Sequence, residues 1–560
     1  MEQPNDRDRE RPAIDPGGVG SPEGDRWGRA TWWFVGLGMV LRAAAYGLDF
    51  PLWWDEAFVA VNLLRRGYLG LLSPLDYGQV CPLLFLWAEL ASVRLLGFSE
   101  WSLRLFPLAC ALGGMVAFRS AAATVLRGRA LFLAVAVMAV SVHPIRHAAD
   151  VKPYACDLLV ASILLRLALG WWREPARASS LWALAGFVPL ALLLSHPAAF
   201  VAGGIGLALA VPAWRSRRTG VRIAFAAYGA AMVATYATIY VAFTRAQASS
   251  ASPGMREMWA RSFPPLDSAG GLLRWLWVVH SGDMLAYPCG GEGGQSALSL
   301  LACVVGAVVL WRWGRKTVLA LLLAPLGLAM VAAALRLYPY GGPAPHGSAA
   351  RIMQYAAPAV CLLVGLGASR LLGLVRSDVA RSRLLRMGCL GLVAVGIAPL
   401  AAGVAHPYRA HQARAARDFA RTFWPELARG AEVADLRWDF GAADWDSIRL
   451  GVAVSLVNEA IYSPARRSGG PRWDAVSARR PLRCVLGVAP ESDGPRVSAW
   501  LESMRADYDL RSRQTFRVDL AEPGRRPVFE RFEVFEFAPR GAVSRSAARK
   551  APGSGSRRAR

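Results

Sequence analysis

The sequence predicts an all-α polytopic membrane protein of about eleven transmembrane helices, joined to a small C-terminal α/β domain on the outer side. Three observations carry that prediction. The 560 residues are 54% hydrophobic, include 21 tryptophans and have a positive mean hydropathy of +0.30, which is too apolar for an ordinary soluble enzyme. The arginines behind the net charge of +24 gather in short clusters between apolar runs and in the C-terminal tail, the pattern of a membrane orientation signal and not of a nucleic-acid partner. After residue 405 the hydrophobicity falls and alternating patterns replace the long runs.

The elements follow in chain order. Residues 1–28 are polar and rich in Gly, Pro and charge, with no signal-peptide pattern, and read as a disordered cytoplasmic tail. The transmembrane part, 29–405, holds apolar segments near 30–48, 101–125, 130–143, 154–172, 181–195, 197–213, 221–243, 296–312, 317–338, 351–374 and 387–405, each long enough to approach or cross a bilayer. One more stretch, "VCPLLFLWAELASVRLLGFSEW" from Val80, carries Glu89, Arg94 and Glu100 at helical spacing and reads as an amphipathic interfacial helix. Parity supports that choice. With the N-terminus cytoplasmic and the Val80 stretch not crossing, the cytoplasmic connections are "LRGRA", "WWREPARAS", "AWRSRRTG", "WRWGRK" and "RSDVARSRLLR", all basic, as the positive-inside rule requires. Connections 49–100, 244–295 and 339–350 then lie outside, as does everything after the last span.

Residues 406–540 read as the soluble extracytoplasmic α/β domain. "PLRCVLGV" and "RFEVFEFA" alternate like strands, and "VSAWLESMRADYDL" has the spacing of an amphipathic helix. The basic, low-complexity stretch 541–560 reads as a disordered tail. The eight cysteines include no C-x-x-C pair and several lie inside apolar runs, so neither zinc nor a disulfide framework is indicated. Asp439-Phe440-Gly441 copies a kinase triplet without its partner motifs, "GGEGG" near Gly290 lacks the Lys-Ser/Thr of a phosphate loop, and His406 and His411 have no third ligand at a suitable spacing.

Chemistry concentrates in the outer connections. "WWDEAF" places Asp55 and Glu56 behind two tryptophans at the end of the first apolar run. Two readings stand: solvated acids that cap the following helix, or a general base for an acceptor hydroxyl or amine. The second outer turn, "SVHPIRHAADVKPYACDLL", packs His143, Arg146, His147, Asp150, Lys152 and Tyr154 between two spans. Charge at that density beside hydrocarbon marks a functional site, unless Arg146 and Lys152 only snorkel to the interface. "YPYGGPAPHGSAARIMQYAAPAV" puts His346 and Arg351 at the mouth of a late span, where an arginine can pair with a phosphate or anchor the helix. "GGLLRWLWVVHSGDMLAYP", with Arg274, His280 and Asp283, has the spacing of a helix lying in the outer interface.

The order of acidic pair, short helix, Gln-x-x-Pro-Leu, apolar helix ending in Leu-Gly-Phe-Ser-Glu, then Arg-Leu opening a span resembles the first outer loop of the GT-C membrane glycosyltransferases. Within them it is most similar to the protein mannosyltransferase and aminoarabinose-transferase branch. That resemblance implies a sugar donor carried on polyprenyl phosphate, with Asp55 as the catalytic or acceptor-binding carboxylate and Glu56 completing the Asp-Glu form of the motif. It makes Asp150 the second acid, with Asp157 as the alternative, and Lys152-Pro153-Tyr154 the counterpart of an Arg-x-Tyr element. Gln79 stands where relatives carry a cation for the donor phosphate, so that cation is missing. Arg351 would contact the carrier phosphate, although Ile352 replaces the usual tyrosine. Arg146 and His346 join the substrate-binding set, and the resemblance leaves open a divalent cation shared by Asp55 and Asp150. The expected activity is transfer of a sugar from polyprenyl phosphate to a glycan, lipid or protein acceptor at the outer face of a plasma or inner membrane. A lipid-substrate transporter or flippase is the rival and calls for inverted repeats, of which the halves show no clear sign; a non-catalytic anchor leaves the charged turns unexplained.

Overall fold

A computed structural model describes residues 22–250, 259–290, 295–344, 347–427, 435–436, 447–463, 482–488, 498–499, 501–502, 504–506, 508–520 and 528–540. Residues 1–21 and 541–560, His346, residues 291–294 of "GGEGG" and Asp439-Phe440-Gly441 lie outside the described residues, whereas residues 22–28, expected to belong to the disordered tail, are helical and open the first helix. The chain divides into two compact units, 1–409 and 410–560.

The first unit is helical. In chain order it contains α1 (Pro22–Gly47), α2 (Trp54–Arg65), α3 (Leu83–Leu96), α4 (Glu100–Val125), α5 (Gly128–Val140), α6 (Val142–Arg146), α7 (Tyr154–Arg173), α8 (Ser179–Leu194), α9 (Ala198–Trp214), α10 (Thr219–Ile239), α11 (Arg245–Ser250), α12 (Ala269–Ser281), α13 (Ala297–Arg312), α14 (Lys316–Ala334), α15 (Ala357–Gly373) and α16 (Asp378–Ala405). All eleven apolar segments are helical over most of their length. Among the described residues α4, α7, α10 with its continuation to Gln247, α14, the stretch Ala350–Gly373 and α16 are long and apolar enough to cross a membrane. The pair Gly128–Val140 and Val142–Ala149, bent by 48°, makes a seventh, and α8, α9 and α13 are shorter apolar helices. The chain is an integral membrane protein.

Helix packing relies on small residues, because lipid tails give no hydrophobic drive between spans. A Cβ at Gly367 of α15 would run into the Ala302 carbonyl of α13, and one at Gly306 of α13 into the Leu363 carbonyl of α15. Those two helices therefore touch backbone to backbone. Arg42 of α1 is 1% exposed and donates to the carbonyls of Gly38 (2.9 Å), Ala139 (3.0 Å) and Met138 (3.1 Å), tying α1 to the end of α5 through carbonyls that lack helical partners.

The long connections fold onto these helices. The Val80 stretch does form a helix, α3, which ends at Leu96 before Gly97 in the left-handed region (φ 84°), so Glu100 opens α4 and does not belong to α3. Ser99 caps α4 by accepting from the Ser102 N–H at 3.2 Å while the Ser102 hydroxyl reaches back to the Ser99 N–H, a capping box. The expected polar face of α3 is also incomplete: Glu89 is fully buried and neither carboxylate oxygen has a hydrogen-bond partner among the described residues. In the region 244–295, α12 donates the Trp275 indole N–H to the Arg261 carbonyl (3.1 Å), and its His280 meets the Tyr340 hydroxyl (3.1 Å).

The second unit contains α17 (His411–Leu427), α18 (Ser447–Tyr462) and a four-stranded sheet of β3 (Asp435–Leu436), β4 (Leu482–Val488), β5 (Tyr508–Leu520) and β6 (Val528–Pro539) in the order β3-β4-β6-β5; a two-residue pair, β1 (Pro343–Ala344) and β2 (Gly347–Ser348), belongs to the first unit. "PLRCVLGV" and "RFEVFEFA" fall in β4 and β6, which pair antiparallel from Leu482↔Phe537 to Val488↔Arg531. The helix expected over "VSAWLESMRADYDL" gives way at Tyr508, where β5 begins. Tyr508 and Leu510 alternate with polar neighbours there as well as they fit a helical face, so the short window is ambiguous.

Candidate active site

Asp55 and Glu56 sit in the first turn of α2, which begins after Trp53. Neighbouring residues at a helix start diverge, and these two acids go to different partners. Asp55 Oδ1 lies 2.9 Å from Lys152 Nζ and its Oδ2 3.4 Å from Arg351 Nη1. Glu56, fully buried, takes a two-pronged contact from Arg104: Nε to Oε1 at 3.0 Å and Nη2 to Oε2 at 2.8 Å. The Val151 N–H adds a bond to Oε1 (3.0 Å), and the Trp53 N–H one to Oε2 (3.4 Å). Burial pushes the Glu56 carboxyl up, but Arg104 and Arg409, with the hydrogen bonds from Arg104 and Val151, outweigh it and hold the group below its ordinary value. Glu56 thus joins three pieces of chain: the start of α2, the start of α4 and the turn 147–152.

That turn supplies the second acid. Asp150, 2% exposed, receives His147 Nδ1 at Oδ2 (2.6 Å) and Arg409 at Oδ1. Arg409 follows α16, donates to the Arg146 carbonyl (3.1 Å) and lies over the Phe50 ring. Its guanidinium is lowered to about 9, chiefly by burial, with Glu56 pulling it up and Arg146 and Arg104 pushing it down. His147 is itself buried, 6% exposed. Its ring meets Tyr154 edge-on with centroids 5.0 Å apart.

Lys152 also reaches Gln79, Nζ to Oε1 at 2.6 Å. A cation from the turn before α7 therefore stands beside Gln79. Arg351 is 7% exposed; it lies between Trp53 and Trp259, 5.7 and 5.4 Å from their ring centroids, and its buried Nε has no hydrogen-bond partner among the described residues. Arg146 is exposed, and its guanidinium makes no hydrogen bond or ion pair among the described residues. Three acids are thus met by Arg104, Lys152, Arg351 and Arg409, with Arg146 left over: the site carries surplus positive charge suited to an anion.

Asp55 and Asp150 each face two basic groups, an environment that does not fit a divalent cation. Among the described residues no group of three or more His, Cys, Asp or Glu is placed to hold a metal ion.

Most of the sequence-derived set comes together: Asp55, Glu56, Gln79, Arg146, Asp150, Lys152, Tyr154 and Arg351. The sequence reading missed Arg104 and Arg409 as partners of its acids. Both carry a legible signal, since parity puts the start of α4 and the end of α16 on the side of Asp55. Also missed are Ser195 and His196 between α8 and α9. Ser195 hydrogen-bonds Asp157, whose Oδ1, like His196 Nε2 and the Tyr355 hydroxyl, is buried without a partner among the described residues.

No family model and no curated protein matches the chain. Solved structures do. ArnT from Cupriavidus metallidurans bound to undecaprenyl phosphate is 15% identical over 90% of this chain and 97% of that one, with a TM-score of 0.49. The apo state of the same protein is 13% identical over 91% and 98%, with a TM-score of 0.48. The archaeal oligosaccharyltransferase AglB from Archaeoglobus fulgidus, in complex with an inhibitory peptide and a dolichol-phosphate, is 10% identical over 78% of this chain and 65% of that one, with a TM-score of 0.44.

Proposed function

We propose that the protein is a membrane glycosyltransferase that moves a sugar from a polyprenyl-phosphate donor to an acceptor hydroxyl or amine at the outer face of the membrane, with eleven crossings, the N-terminus cytoplasmic and the C-terminal unit outside. The observation that carries it is the convergence on Asp55 of Lys152 and Arg351, from separate connections, with the surplus cation Arg146 nearby. In this reading the donor phosphate draws Lys152 and Arg351 away from Asp55. A carboxylate held between two cations is a weak base, and losing them to the phosphate restores its basicity. The acceptor oxygen or nitrogen then attacks the anomeric carbon, the bond from that carbon to the phosphate oxygen breaks, and the acceptor proton passes to Asp55. Charge developing on the departing polyprenyl phosphate meets Lys152, Arg351 and Arg146, where fixed cations lower the barrier most. Asp150 orients His147 and Arg409 around the acceptor, and Glu56, saturated by its partners, positions the turn that presents Lys152. The partnerless polar atoms of Asp157, His196 and Tyr355 suit the hydroxyls of a sugar.

The test is transfer from radiolabelled polyprenyl-phosphate sugars in membranes carrying the wild type or Asp55→Asn. A loss of about 10²–10⁴-fold is expected from removing a general base. Equal transfer by the two proteins means that Asp55 is not the base.

A further inference from the structure

At the ends of α4 and α7 remote from Asp55, where the first turn of α8 joins them, lies a pocket of about 450 Å³ lined by Arg119, Ser120, Arg166, Arg173, Arg177 and Ser180, among others. That volume falls within the roughly 300–1,000 Å³ of small-ligand sites. Glu174 is the one carboxylate lining it among the described residues, and Arg177 takes it at 2.7 Å.

Basic residues at this end of the spans are expected as orientation signals, and such side chains usually snorkel apart. Here they converge instead. Arg119 stacks on Trp32 with its guanidinium 4.1 Å from the ring centroid, and its buried Nε has no hydrogen-bond partner among the described residues. Arg166 is fixed by donating Nε to the Ser120 hydroxyl at 3.1 Å. The absence of a side chain at Gly170 keeps the space open, since a Cβ there would press on Arg166 Nη1 and the Ser180 hydroxyl. The Ala178 cap of α8 offers no side-chain acceptor, so first-turn N–H groups of that helix point their partial positive charge the same way. Just outside, burial and then repulsion from Arg173 and Arg119 lower the Arg127 guanidinium.

We propose that this pocket binds a phosphate group, carried by an anionic lipid headgroup or taken from solution, and that it is separate from the Asp55 site. Basic pockets between spans hold anionic headgroups by this combination of fixed cations and enclosure.

The test is phenylglyoxal modification of the full-length protein, read by mass spectrometry at each arginine, in three settings: phosphatidylcholine nanodiscs, the same with phosphatidylglycerol, and phosphatidylcholine nanodiscs with added inorganic phosphate. Modification of Arg119 and Arg166 is expected to slow about tenfold where the anion is present, while the exposed Arg217 in a neighbouring connection keeps its rate. Protection by phosphatidylglycerol alone identifies the headgroup as the source; protection by inorganic phosphate as well identifies the free anion. Equal rates at Arg119 and Arg166 in all three settings overturn the proposal, and this arm needs no variant. Arg166→Gln is expected to remove the protection of Arg119 and Arg166→Lys to keep it; protection that survives Arg166→Gln also overturns it.

Discussion

Replacing Glu56 by Gln tests whether the acid beside Asp55 holds the starts of α2 and α4 and the turn 147–152 together. Both partners of the Glu56–Arg104 pair are buried, with side-chain exposures of 0% and 3%. Glu56→Gln leaves the Arg104 charge buried without a counter-ion at Glu56, with the Phe50 carbonyl, at 2.6 Å, and the new amide oxygen as its acceptors among the described residues. Breaking a buried pair from one side costs about 3–5 kcal/mol, and displacement of the Val151 N–H adds to it if the amide turns its nitrogen that way. Arg104→Gln strands the carboxylate and costs a similar amount. The double variant strands neither charge and should cost less than the sum of the two, with a coupling of about 2–3 kcal/mol. The assay is apparent unfolding in detergent for the four proteins of the cycle, followed over pH. Because Glu56 is held below its ordinary value, its contribution is fully present above the unfolded carboxylate range and is lost as pH falls through the lower folded value. The wild type should therefore lose stability in acid and Glu56→Gln should not show that component. Additive single costs, or an unchanged acid slope in Glu56→Gln, would refute the assignment of Glu56 to a structural pair.

Two further predictions concern Glu89 and topology. Burial, and then the charges of Cys110 and Glu56, raise the Glu89 carboxyl well above its ordinary value, so the folded state keeps a proton that the unfolded state releases, and stability falls as pH rises above the unfolded carboxylate range. Glu89→Gln should remove that fall and be the more stable protein at neutral pH; a variant less stable than wild type there contradicts the absence of a partner. Cysteine labelling in intact cells places the connections: Ser216→Cys should react only after the membrane is opened and Ser492→Cys from outside, and the reverse pattern inverts the topology.

Composition and the spacing of apolar runs were enough to give the class of the molecule and the position of its helices, because a bilayer imposes a length and a polarity that a single sequence displays. The parity of basic clusters likewise pointed to the outer connections, where charge in costly surroundings marked Asp150 and Lys152, while Asp55 and Arg351 rose above a helix cap and an interfacial anchor only through the resemblance to GT-C enzymes. Pairing was beyond reach. Nothing in the spacing of Asp55, Lys152 and Arg351 indicates that Lys152 also serves Gln79, or that Glu56 is consumed by Arg104, since those contacts span 48 to 296 positions and depend on how helices with small-residue faces settle against one another. Glu89 misled for the same reason: periodicity assigned it to a polar face, but α3 lies between neighbours and that face is covered. Local patterns record which residues meet water or lipid, whereas the choice of partner among several buried charges is made only when the helices pack.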